Sequence, residues 1–338
     1  MGRVVVISTG GTIASRWQGS GYAAEAHGRE VLAAAAVPEG IVMEVVDLFT
    51  VNSSRLTAAH QLTLLRTVHD VLADPEVDGI VVTHGTDTLE ESAFLVDLHH
   101  DDPRPVVFTG AQRPLESVGG DAAGNLHDAL VTAASVRDLG VLVVFDGSVH
   151  AARGTVKTHT LAPDAFGDPS GERVADVGSG TVSVRRRPDR PTPLALPGVN
   201  VTAPRVDIVM HHCDADPLFL KAAVGAGAQG IVLVGTGAGN TTPEIAEAVT
   251  AAVASGVLVA LTTRVPAGPV AEIYTGGGAV DLAAAGAVLT GTLRAGQARI
   301  AVVAALLAAD APAARAKTLR RIVHRRVAAP AVAALGRT

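Results

Sequence analysis

Short apolar runs recur along the chain, most of them closed by Gly, Thr or Asp. They are Val4–Ile7, Gly79–Val82, Pro105–Phe108, Val141–Phe145, Asp207–Met210, Gly230–Val234 and Val257–Leu261. Runs of this kind suit strands covered on both faces, where no polar alternation is needed. Ala- and Leu-rich segments of helical length lie between many of them, such as Thr57–Leu72, Asn125–Leu139 and Pro243–Ala254. Alternation of the two predicts right-handed βαβ units and an α/β fold built on doubly wound, mainly parallel sheet. The first four runs are expected in one larger N-terminal sheet and the last three in a smaller C-terminal one. Aromatic residues make up only 3% of the 338 residues, so Ala, Val, Leu and Ile must fill these cores.

Five prolines fall between Arg185 and Pro204, at 188, 191, 193, 197 and 204. That density predicts a stiff, non-helical connector. The expected division is an N-terminal domain over 1–190, a linker over 191–204 and a C-terminal domain over 205–338. The stretch Leu319–Arg326 reads as a basic amphipathic helix, of which a solvated surface helix is the plainer account.

Charge and composition exclude several classes. Lys plus Arg total 27 and Asp plus Glu 33, a net charge of −6, which does not suit a general nucleic-acid binder. With 48% hydrophobic residues the chain is no disordered acidic tail. The single cysteine, Cys213, excludes an internal disulfide. No signal-peptide core precedes Val4 and no apolar run reaches transmembrane length, so a cytoplasmic protein is expected.

Chemistry concentrates where strands end. The first turn reads Ser8-Thr9-Gly10-Gly11-Thr12-Ile13-Ala14. Its glycines permit a sharp backbone and its Thr12 adds a hydroxyl, although a tight turn with a capping Thr needs no more than this. A second turn follows Gly79–Val82: Thr83-His84-Gly85-Thr86-Asp87-Thr88-Leu89-Glu90-Glu91. Capping and favourable acids in a first helical turn explain some of these residues but not the whole cluster. Two such turns on parallel strands can aim two hydroxyls into one crevice.

A hydroxyl nucleophile needs a base. The chain has three lysines, Lys157, Lys221 and Lys317, against 24 arginines. Arginine does not release its proton, so it cannot stand in where a neutral amine is required. Lys157, in Thr155-Val156-Lys157-Thr158, therefore stands out as the candidate base, with Asp87 to orient it or to bind a substrate ammonium. Gly19-Ser20-Gly21-Tyr22-Ala23-Ala24 suits a lid carrying the Tyr22 hydroxyl, next to the lone tryptophan Trp17. His211-His212-Cys213-Asp214-Ala215-Asp216 lacks ligand spacing, so no metal is expected. Gly235-Thr236-Gly237-Ala238-Gly239-Asn240 matches a dinucleotide loop only loosely, and no ribose-binding acid is evident.

Taken together, Thr9-Gly10-Gly11-Thr12-Ile13-Ala14 and Thr83-His84-Gly85-Thr86-Asp87-Thr88 resemble the two signature segments of the bacterial-type L-asparaginases of the asparaginase/glutaminase family. The resemblance runs from Val4 to about Ala309. Gly110-Ala111-Gln112-Arg113-Pro114, Asp121 through Asn125-Leu126, Arg153 through Lys157-Thr158, Arg264-Val265-Pro266 and Gly291-Thr292-Leu293 extend it. It implies hydrolysis of a side-chain amide to aspartate and ammonia, with no cofactor and no metal. By position it implies Thr12 as first nucleophile beside Tyr22, and Thr86, Lys157 and Asp87 as a second catalytic group. How the two threonines divide the work stays open. It further implies Ser53, with Ser54 beside it, on the substrate α-carboxylate and Asp87 on the α-ammonium. Asn240 and Glu272 are implied to reach the site from a partner in a homotetramer of close dimers. Three departures fall near the lid and pocket: Ser15-Arg16-Trp17-Gln18, Gln112 and Arg55. A glutaminase of mixed specificity and a non-catalytic amino-acid sensor are the competing readings.

Overall fold

The computed structural model describes residues 2–17, 19–24, 30, 36–114, 117, 119–190 and 192–324, with backbone alone at 12, 15–17 and 22–24. The described residues of the first half give twelve strands. They are β1 (Gly2–Ser8), β2 (Ser15–Trp17), β3 (Tyr22–Ala24), β4 (Ile41–Asp47), β5 (Gly79–Thr83), β6 (Val106–Thr109), β7 (Val141–Phe145), β8 (Ser148–Ala151), β9 (Val156–Lys157), β10 (Phe166–Gly167), β11 (Ala175–Gly178) and β12 (Thr181–Val184). Eight of them form one sheet in the order β12-β11-β8-β7-β6-β5-β1-β4. The members from β7 to β4 are parallel, and β8, β11 and β12 extend the sheet antiparallel.

The expected four runs are all in this sheet, but it holds four strands more. Strand β4 shows no apolar run because it is a half-exposed edge strand whose side chains alternate, with Glu44 in its middle. The antiparallel strands are short and polar on one side.

Burial of the inner strands is two-sided and strictly alternating. Val5, Ile7, Ile80, Val82, Phe108 and Val143 belong to the core beneath α1 (Ala58–Leu72) and α2 (Leu89–His99). Val4, Val6, Val81, Val107, Leu142 and Val144 belong to the opposite core beneath α3 (Ala122–Ser135). Helix α1 starts with a reciprocal cap, in which Thr57 Oγ1 accepts from the His60 amide and the Thr57 amide donates to His60 Nδ1.

The second half gives β13 (Val206–Met210), α4 (Leu218–Gly225), β14 (Gly230–Gly235), α5 (Pro243–Ala254), β15 (Leu258–Thr263), α6 (Ala279–Ala284), β16 (Val288–Leu289), α7 (Ala295–Ala308) and α8 (Pro312–Val323). Strands β13 to β16 form a parallel sheet in chain order. One face carries α4, α5 and α6. Helix α7 packs on the other face and also against α2 of the larger sheet. Phe94 and Leu95 of α2 share one continuous core with Ala301 and Ala305 of α7 and Val232 of β14.

The proline-rich stretch contains neither helix nor strand among its described residues. It is held to the end of α2: the Leu194 amide donates to Leu98 O at 2.8 Å, and His99 Nδ1 lies 3.0 Å from Ala195 O. The basic helix is α8. Leu319 and Ile322 are buried while Arg320 and Arg321 face solvent, and residues 325–326 lie outside the described chain. Among the described residues no helix is long and apolar enough to cross a membrane.

Candidate active site

In strand order β4, β1, β5 and β6 are adjacent, and the chain runs from β1 outward to β4 before returning to β5. The winding direction therefore reverses between β1 and β5. In doubly wound sheets that reversal leaves a crevice at the carboxyl ends of the strands. Four loops leave from this edge. One contains Ser53 after β4, one Thr12 after β1, one Thr86 after β5 and one Gln112 after β6.

Two glycines bring the threonine turns together. Gly11 takes φ +88°, and a Cβ there would lie 2.2 Å from Gly85 Cα. At Gly85 a Cβ would lie 2.5 Å from Ser53 Oγ and 2.9 Å from Gly11 Cα. No side chain fits either place, so the turns that carry Thr12 and Thr86 meet backbone to backbone. Hydrogen bonds reinforce the pairing, since both the amide and the hydroxyl of Thr9 donate to Thr83 O. Thr12 sits in a single 3-10 turn, Thr12–Ala14, and Tyr22 pairs with Trp17 across the β2–β3 hairpin. The side chains of Thr12, Trp17 and Tyr22 lie outside the described atoms.

Around Thr86 the side chains are explicit. Lys157 Nζ lies 2.8 Å from Thr86 Oγ1 and 3.3 Å from Asp87 Oδ1. The Thr86 hydroxyl donates in turn to Gln112 Oε1 at 3.3 Å. Thr86 is buried and Lys157 is mostly buried, whereas Asp87 keeps 60% of its side chain exposed. Its carboxylate is therefore open to a ligand as well as to Lys157. Ser53 is buried and its Oγ accepts the Asp87 amide at 3.2 Å, while Ser54 is exposed. The residues picked from sequence around Thr86 are thus in contact with one another.

Two candidates stand elsewhere. Asn240 closes the tight turn after β14, with its backbone paired to Thr236, and its Oδ1 is buried without a hydrogen-bond partner. Glu272 is exposed and lines an open groove of about 640 Å³ with Arg320 and His324. Among the described residues no hydrogen bond or ion pair joins either of them to Thr86 or Lys157. The His211–Asp216 stretch follows β13, and the described residues hold no cluster of three or more ligands arranged for a metal.

Three residues at or behind the site are not functional candidates in the sequence. Gln112 stands out there only as a departure from the family pattern. Glu90 reads as a favourable first-turn acid, yet its Oε2 accepts the Lys157 amide at 2.6 Å. Burial pushes its carboxyl up to about 7, against the opposing pull of that hydrogen bond. Gln297, fully buried on α7, donates to Ala152 O and Thr155 O and accepts the Gly154 amide. His84, by contrast, turns away from the crevice. Its ring lies 3.0 Å from Ser92 Oγ and 2.7 Å from Gly85 O, and burial lowers its pKa to about 4.

A mainly buried amine against a buried threonine hydroxyl, beside an open carboxylate, is equipped to move a proton on and off oxygen. A family model described as asparaginase, N-terminal, matches residues 3–190, and a model described as glutaminase/asparaginase C-terminal domain matches 205–319. The chain belongs to the asparaginase family. An L-asparaginase of Bacillus licheniformis is 37% identical over 292 residues, covering 85% of this chain and 90% of that protein. L-asparaginase 2 of Escherichia coli is 36% identical over 237 residues, covering 68% of this chain and 67% of its own. Among solved structures, a probable cytoplasmic L-asparaginase from Campylobacter jejuni superposes with a TM-score of 0.86 at 28% identity. It covers 95% of this asparaginase-family chain and is itself covered completely.

Proposed function

We propose that this asparaginase-family chain hydrolyses the side-chain carboxamide of L-asparagine to L-aspartate and ammonia. The contact between Lys157 Nζ and Thr86 Oγ1, at the edge where Gly11 meets Gly85, carries the reading. In the first half-reaction the Thr12 hydroxyl attacks the carboxamide carbon and its proton passes to the departing nitrogen. Ammonia leaves and an ester to Thr12 remains. In the second, water attacks that ester while Thr86 and Lys157 take its proton, and Thr12 regains its hydrogen as aspartate departs. Lys157 must be neutral at the moment it accepts the proton. Amide groups of the glycine turns would stabilise the oxyanion. Ser53 and the open carboxylate of Asp87 would take the substrate's α-carboxylate and α-ammonium.

The reading extends to assembly and location. The unpartnered Oδ1 of Asn240 supports a site completed across a close dimer, with Glu272 from the same partner and two dimers forming a tetramer. The division into 1–190, a linker over 191–204 and 205–338, and a cytoplasmic location, belong to the same proposal.

Ammonia release from asparagine by the purified chain is the test. Thr12→Ala, Thr86→Ala and Lys157→Met should each lower kcat/KM by about a hundredfold or more, the range expected for loss of a nucleophile or proton carrier. Near-native turnover in all three folded variants would overturn the reading. Glutamine is longer by one methylene, and such a difference gives about 10–200-fold discrimination, so kcat/KM for both amides measures the preference.

A further inference from the structure

We propose that Glu90 and Gln297 are a positioning pair for Lys157, tying its backbone to the first turn of α7 so that its reach to Thr86 is set from the second sheet. This rests on the functional reading above and adds residues that the reading does not use.

The need for such a device is visible at Lys157 itself. It lies on the two-residue strand β9, whose partner is the equally short β10. Such a hairpin constrains a long, flexible side chain poorly. Two contacts supply what the hairpin lacks. The Lys157 amide donates to Glu90 Oε2, and Glu90 lies in the same α2 start that follows Thr86 and Asp87. The hydroxyl and the amine that must meet are thereby fixed to one helix end. Gln297 fixes the turn leading into Lys157: Nε2 donates to Ala152 O at 2.8 Å and Thr155 O at 2.9 Å, and Oε1 accepts the Gly154 amide at 2.8 Å.

The two residues also meet each other. Gln297 Nε2 is 3.5 Å from Glu90 O. A Cβ at Gly296 would lie 3.1 Å from Glu90 Oε1 and 3.4 Å from Glu91 Cγ, so the start of α7 is seated directly on these acids. A helix N-terminus favours negative charge there. The charged groups around Glu90 are Lys157 on β9, Glu91 on α2 and, on α7, Arg299, which pairs with Glu91 at 3.4 Å. Glu90 acts through the main chain of Lys157 and Gln297 through the turn that precedes it, which separates their role from that of Thr86 or Asp87.

Two readouts test the inference. With only three lysines in the chain, isotope labelling of lysine side chains gives three NMR signals, and Lys157→Met assigns one of them. Glu90→Leu and Gln297→Leu should each shift the Lys157 signal while leaving those of Lys221 and Lys317 in place. Both should lower kcat about tenfold to a hundredfold, the loss a slightly misplaced catalytic group brings, with KM changed by about twofold or less. Glu90→Gln keeps side-chain shape and an acceptor oxygen for the Lys157 amide, so it should retain the wild-type Lys157 signal and most of kcat, and it carries the test if a leucine variant does not fold by circular dichroism. An unmoved Lys157 signal or unchanged kcat in a folded leucine variant overturns the inference, as does a tenfold or greater loss of kcat in Glu90→Gln. If the wild-type chain releases no ammonia while the Lys157 signal still responds to both substitutions, the functional reading fails and the positioning role stands.

Discussion

Glycine decides the site more sharply than any of its reactive residues. Gly11 and Gly40 both adopt positive φ, +88° and +82°, but a Cβ at Gly40 would meet nothing within 4 Å while one at Gly11 would strike Gly85. Alanine at either position pays the left-handed penalty of about 1–2 kcal/mol. Only at Gly11 does the clash with fixed backbone add about 1–3 kcal/mol more. Urea unfolding should therefore rank Gly11→Ala well below Gly40→Ala in stability, and equal losses would refute the close approach of the two turns. The sequence made this junction legible, because paired Gly-Thr turns after apolar strands have few other uses. It could not show where His84 points, since a histidine inside such a turn reads equally as a catalytic or a buried residue. Burial against Ser92 is a tertiary fact with no local signature. Gln112 and Glu90 were hidden for the same reason, their partners lying 26 and 67 positions away.

Among the elements, α5 was legible to the residue because Pro243 opens it and its apolar spacing is regular. Helix α7 was not, and the cause is physical. Ala298, Ile300, Ala301, Val302, Ala304 and Ala305 are all buried, so the helix is apolar all round and shows no amphipathic period. Its small residues let it lie between the two sheets, and Gln297 came with it unseen. The element joining α1 to β5 has an anchor of a different kind. Arg104 donates to Leu72 O, Asp74 O and Val77 O, and Asp102 holds it through two bonds of 2.7 and 2.8 Å. These carbonyls follow the last turn of α1, where no intrahelical donor is available. Arg104→Met keeps the apolar stem and removes every donor, and should cost about 3 kcal/mol, as bonds to a charged donor are worth about 1.5–3 kcal/mol each before compensation by water. Thermal or urea unfolding reads this directly. Lysine at 104 should not restore the loss, because one ammonium cannot span the three carbonyls and the carboxylate together.

Across the whole molecule, buried bases and buried acids pull its stability in opposite directions as pH changes. His84 and His100 are lowered to about 4, and His69, His99 and His150 are also lowered, in each case first by burial. Such groups stay neutral in the folded chain while the unfolded chain takes up protons below about 6.5. They cost nothing above that pH and penalise the folded state below it, for His84 and His100 until the pH reaches about 4. Glu90, raised to about 7, has the reverse sign, with Glu91 and Asp97 raised beside it. The unfolded carboxylate ionises near 4.5, so the folded state is progressively penalised as pH rises from there to 7. The two signs can be separated by substitution. His100→Gln retains a donor for Arg104 O, which lies 2.9 Å from His100 Nε2. Relative to that variant, the wild-type chain should lose up to about 3 kcal/mol between pH 6.5 and 4 and nothing more below. Relative to Glu90→Gln, it should lose up to about 3 kcal/mol between pH 4.5 and 7 and nothing more above. Urea unfolding of the three chains from pH 4 to 8 gives both differences. Parallel curves would mean that neither group is held in the state its burial dictates. Opposed slopes would show the folded chain drawn toward an intermediate pH, with Glu90, the acid that holds Lys157, setting the upper limit.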